Sequence, residues 1–188
     1  MFVVSLAALL SAPALAQTAV LSPPKPADNG PSLAVTMNYL QDKLSGIGKV
    51  SFVTFYQNTT DNSNGSNIMT NEVSHAVANI NPCRVTNHWK STNGGATLMD
   101  IDAGIPLRDV IDITVKPFTQ YQTELDASLG NPNFVTTSTN PALSALLVHR
   151  AHGVVNLFPF TDADAANRVA KAMVHAVELC GGGNKDPF

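Results

Sequence analysis

Basic charge is scarce in this chain. Lys and Arg number 11 against 14 Asp and Glu, charged residues make up 13% of the sequence, and the basic ones are scattered. A nucleic-acid binder gathers Lys and Arg on one face to neutralise phosphates, and that class is excluded. Cysteine is scarcer still, with two in 188 residues; a zinc site takes four ligands, so a pair of thiols does not argue for one. Beyond the first residues no stretch is long and apolar enough for a spanning helix, which needs about 20 apolar residues. No G-x-S-x-G elbow, no H-E-x-x-H pair and no Cys–His nucleophile signal occurs, and no internal repeat is visible. Neither a catalytic residue nor a cofactor or metal is therefore expected. The sequence is 44% hydrophobic with a formal net charge of -3, a balance that favours a folded chain over a disordered one.

What is present begins with MFVVSLAALLSAPALAQ. Residues 2–10 are an apolar run of signal-peptide length, and Ala14-Leu15-Ala16 is a small-x-small cleavage pattern. Residues 1–16 are expected to be a signal peptide, although the positively charged n-region is missing; the other reading is a buried N-terminal strand or helix. No cysteine lies near the cleavage site, which argues against a lipid anchor. Residues 17–31, with Pro23, Pro24 and Pro26, read as an extended linker. A single domain is expected over 32–183, with a loose tail at 184–188. Export implies a periplasmic or extracellular location. In that oxidising setting Cys83 and Cys180 form a disulfide; the alternative is two buried free thiols.

Ser32 looks like an N-cap, and Leu33, Met37, Leu40, Leu44 and Ile47 draw one apolar helical stripe. Seven strand-like segments follow, near 49–56, 68–78, 83–90, 96–103, 108–116, 143–149 and 154–160. Residues 57–67 read as a polar loop with an Asn64-Gly65 turn. In the third segment Val85 and Trp89 share one face, with Thr86, His88 and Lys90 on the other. In the fifth, Ile111, Ile113 and Val115 share a side. Residues 117–141 form a long connection with a short helix at 119–129. A final helix is expected over about 162–180, capped by Thr161 with Asp164, burying Val169, Met173, Val177 and Cys180, and stopped by Gly181-Gly182-Gly183. The class is α+β.

Seven strands and one closing amphipathic helix resemble the pleckstrin-homology-like barrel. The segments CRVTNHWK (83–90), IPLRDVIDITV (105–115) and ANRVAKAMVHAVELCGGG (166–183) are similar to a group of exported bacterial proteins with no assigned activity. The resemblance implies a bent antiparallel sheet or partly open barrel of about seven strands, closed by the C-terminal helix, with an added N-terminal helix. It implies no activity, because one fold hosts many functions. Phosphoinositide-binding relatives of that barrel carry basic residues in their first strand–strand loop, whereas QNTTDNSNGSN has none.

His149 and His152 bracket the last hairpin turn without a third ligand in the local sequence, so they read as solvated turn residues. His88, or His75 near Glu72, could form a general-base couple with a carboxylate. Asp100 and Asp102 share a strand face and read as solvated. Trp89, Phe52, Phe55, Phe158 and Phe160 line a pocket or fill the interior. The leading expectation is a non-catalytic binding or interaction module of the cell envelope that meets a protein or a small-molecule ligand. Trp89, His88 and Lys90 are the ligand-binding candidates, with 57–67 and 117–141 as contact loops. The runner-up is a small hydrolase-type enzyme using a His–carboxylate couple, and the third reading is a structural envelope component.

Overall fold

The computed structural model describes residues 30–183 and a two-residue strand, β1 (Thr18–Ala19). The expected signal peptide, the rest of the linker before residue 30, and the tail at 184–188 lie outside the described residues. Ser32 caps the first helix, accepting a hydrogen bond from the Val35 N–H at 3.4 Å. The apolar stripe of α1 (Leu33–Ser45) then buries Met37, Leu40 and Leu44 completely. Gly48 takes φ 57°, a value L-residues rarely adopt, and turns the chain into the sheet.

Four antiparallel strands follow as a meander: β2 (Gly48–Asn58), β3 (Asn64–Asn79), β4 (Arg84–Asn93) and β5 (Ala96–Pro106). After a single 3-10 turn come β6 (Val110–Pro117), α2 (Phe118–Ser128), β7 (Phe134–Asn140), β8 (Ser144–Arg150), β9 (Val155–Phe160) and α3 (Ala163–Leu179). The strands form two antiparallel sheets, ordered β5-β4-β3-β2-β7 and β1-β6-β8-β9. Neither sheet closes on itself. The class is mixed α+β.

Several expectations are corrected. The connection 117–141 has its expected short helix, α2, but its second half is not loop: β7 pairs with the free edge of β2. That raises the strand count between residues 48 and 160 from seven to eight. Residues 57–67 are mostly hairpin. The turn lies at 59–63, where Asn58 Oδ1 accepts from the Thr60 N–H and Asp61 Oδ1 from the Ser63 N–H, both at 2.9 Å. Gly65 is a strand residue opposite Tyr56, whose ring occupies the space a Cβ would need. The register of β6 shifts between Val110 and Asp112, so Ile111 bulges outward while Val110 and Ile113 are buried. Asp162, not Thr161, caps α3, accepting from the Asp164 N–H at 2.9 Å.

Apolar side chains gather in two clusters. The larger joins Met37, Leu40 and Leu44 of α1, Val73 and Val85 of the first sheet, Ile113, Leu146 and Phe158 of the second, and Val169, Met173 and Val177 of α3. The smaller holds Phe52, Phe118, Leu143, Ala145 and Leu147. Strand β8 feeds both, which explains its unbroken Ala145-Leu146-Leu147-Val148 run: a strand buried on two faces has no polar side. A Cys83–Cys180 disulfide, with Cα atoms 5.9 Å apart, ties the entry of β4 to the end of α3. There Gly181 takes φ 74° and Gly182 donates its N–H to the Val177 carbonyl, so the helix ends in a Schellman turn. Among the described residues no helix is long and apolar enough to cross a membrane.

Candidate functional site

Side chains alternate along β4, and the alternation builds two different surfaces. Thr86, His88 and Lys90 point outward; Val85, Asn87, Trp89 and Ser91 point inward. The three ligand-binding candidates are therefore not brought together: Trp89 is on one face, His88 and Lys90 on the other.

On the outer face the register sets His88 opposite Asp102 and Lys90 opposite Asp100. Nδ1 of His88 lies 2.9 Å from Asp102 Oδ1, and Nε2 lies 2.9 Å from Asp100 Oδ1. Lys90 Nζ is 3.3 Å from the other oxygen of Asp100. Both ring nitrogens face carboxylate acceptors, and only the imidazolium has a proton for each. The hydrogen bond to Asp102 raises the His88 pKa above its ordinary 6.5; partial burial opposes this, and the charges of Asp100 and Asp102 add to it. His75, at a bulge with φ 52°, sets its ring edge-on to His88 with centroids 6.4 Å apart. Ser74 lies directly opposite His88, but both ring nitrogens are taken up by the carboxylates of Asp100 and Asp102. The cluster is also open to solvent, with the Asp102 side chain 93% exposed. It is an ion-paired surface.

The inner face differs. Between the β3–β5 wall, α2 and β9 lies a cleft of about 340 Å³. Met69, Trp89, Met99, Ile101, Phe118, Tyr121, Leu157 and Phe158 give it apolar walls. Asn71, Asn87 and Asn156 line it as well. Asn71 and Asn87 are 3% and 4% exposed. Four buried side-chain polar atoms among the described residues lack a hydrogen-bond partner, and three of them are the Oδ1 atoms of these asparagines. Buried polar atoms nearly always find a partner, so their gathering in one cleft calls for an explanation. None of the lining residues is Asp, Glu, Lys, Arg or His. Burial pushes the Tyr121 phenol up, which keeps it uncharged. At the mouth, β5 carries a bulge: Ser91 pairs with Met99 and Thr92 with Thr97, so Leu98 is the extra residue. Leu98, Met99, Ile101 and Val155 are left largely exposed there.

A wider hollow of about 440 Å³ lies between α1 and the start of α3. It makes a weaker site, because its charges already have partners: Lys43 meets Asp42 at 2.9 Å, and Arg168 meets Asp162 at 3.6 Å. His149 contacts Thr114 Oγ1 at 3.3 Å, and His152 is exposed in the turn. Among the described residues no three His, Cys, Asp or Glu side chains are grouped to hold a metal.

The expected contact loops have unequal roles. The segment 117–141 supplies Phe118, Tyr121, Gln122 and Leu125 to the cleft, all from α2; no residue of 57–67 lines it. The asparagines are what sequence reasoning missed. The available signal was an Asn on an otherwise apolar strand face: Asn87 between Val85 and Trp89, Asn71 between Met69 and Val73. Comparison with protein-family models, curated proteins and solved structures finds nothing that matches this chain.

Proposed function

We propose that this protein is a non-catalytic binding module of the cell envelope whose site is the uncharged cleft beneath α2. One observation carries the reading: three asparagines whose amide oxygens are buried without a partner line one largely apolar cleft. A few convergent polar groups within an apolar hollow are the usual makeup of a small-molecule site, and 340 Å³ falls within the roughly 300–1,000 Å³ such sites span. Location outside the cytosol is supported by the Cys83–Cys180 bond, since structural disulfides persist in oxidising compartments. The pleckstrin-homology-like reading rests on the β2–β5 meander and the C-terminal helix α3 packed against the second sheet. The hydrolase reading has less support, because its best histidine has both nitrogens engaged.

Trp89 is the only tryptophan and lines the cleft, so it serves as a built-in reporter. The neutral dye N-phenyl-1-naphthylamine is expected to quench Trp89 emission saturably. Ala103→Phe, which fills the cleft beside Asn87, is expected to abolish that quenching. No saturable quenching in the wild type, or equal quenching in a folded A103F protein, refutes the reading.

A further inference from the structure

The cleft's lining also restricts what enters it. We propose that its ligand is an uncharged amphiphile: an apolar body lies against Trp89 and the α2 aromatics, and a hydroxyl or amide head meets the carboxamide of Asn87. The inference rests on the reading of the cleft as a ligand site.

Three observations carry it. The lining holds no ionisable group except the Tyr121 phenol, which burial keeps neutral. A carboxylate, phosphate or ammonium seated there would lose its water and gain no countercharge, which disfavours every ionised head. A carboxamide offers both a donor and an acceptor, and half a turn about χ2 exchanges them. Such a group suits a head that itself both donates and accepts, as hydroxyls and amides do. Finally, the exposed apolar residues lie at one end. Leu98, Met99, Ile101 and Val155 are left exposed, while Asn87, further along β4 from the Ser91 that faces Met99, is deeply buried. That asymmetry orients the amphiphile head inward, its apolar tail leaving over the β5 bulge.

Decanol, decanoate and decyltrimethylammonium share one alkyl chain and differ in head charge. In displacement of N-phenyl-1-naphthylamine from the intact chain at neutral pH, decanol is expected to compete at least about tenfold better than either ion. Asn87→Leu removes a polar group that has no partner in the fold. It is expected to leave the melting curve of the free protein unchanged or raised, and to weaken decanol about fivefold, the worth of one hydrogen bond. Equal competition by all three amphiphiles overturns the inference and leaves the cleft a binding site. Failure of the dye itself to bind removes the site, and the inference with it. Sedimentation showing a dimer that shields Trp89 would instead make a second copy the occupant, and overturns it too. If Asn87→Leu does not fold, the comparison of head charges in the wild type still decides.

Discussion

His88 and Trp89 are consecutive residues on opposite faces of β4, and that alternation separates an exposed charged cluster from an uncharged cleft. Substitutions at the two positions should have independent effects. Changes at His88 alter the titration of the outer face; changes around Trp89 alter ligand uptake.

The outer cluster makes a pH prediction. A histidine whose folded-state pKa is raised contributes stability that is complete below its unfolded pKa and is lost as pH rises through the folded value. For His88 that window begins near 6.5 and extends upward. An NMR titration of its ring should give a midpoint above that of the unfolded chain. Asp102→Asn should lower the midpoint. Added salt should lower it as well, because Asp102 is almost fully solvated. A midpoint indifferent to Asp102→Asn contradicts the clamp geometry.

The bulge in β6 makes a second. Ile111 and Ile113 are two apart, and a regular strand would put them on one face. Here Ile113 is fully buried and Ile111 is 42% exposed. Ile113→Ala should cost about 2–5 kcal/mol, as truncation of a packed core residue does. Ile111→Ala should cost under about 1 kcal/mol. Urea unfolding of the two variants measures both, and comparable losses would mean that the strand is regular.

The disulfide makes a third. Cys83 and Cys180 are separated by 97 residues, a loop whose closure in the unfolded chain corresponds to about 4–5 kcal/mol in the chain-entropy view. Replacing both cysteines with alanine should lower the urea midpoint accordingly with little change in the circular dichroism spectrum. An unchanged midpoint would mean that α3 needs no tether to the sheet.

Much of the fold was legible because it is written locally. The stripe Met37–Leu40–Leu44, the stripe Val169–Met173–Val177 and the Ser32 cap each lie within a few turns of one helix, and the structure has all three. The cysteine pair was legible by count. Strand β7 was not. Its sequence, Phe134–Asn140, opens with two adjacent apolar residues and continues with threonine, serine and asparagine alone, so it gives no burial period, and its pairing with β2 is fixed by contacts some eighty residues away. The same holds for His88 and its two aspartates, which meet only through the β4–β5 register. Asn71, Asn87 and Asn156 looked like ordinary strand residues. Their significance comes from the partners they lack, and that is visible only when three strands and a helix are assembled around them.

The most direct measurement is a crystal structure of the protein with decanol. The account predicts density for the alcohol in the cleft beneath α2, its hydroxyl within hydrogen-bonding distance of the Asn87 carboxamide and its chain passing Trp89 toward Leu98 and Met99. Density confined to other surfaces, or a cleft that stays empty at saturating alcohol, contradicts it.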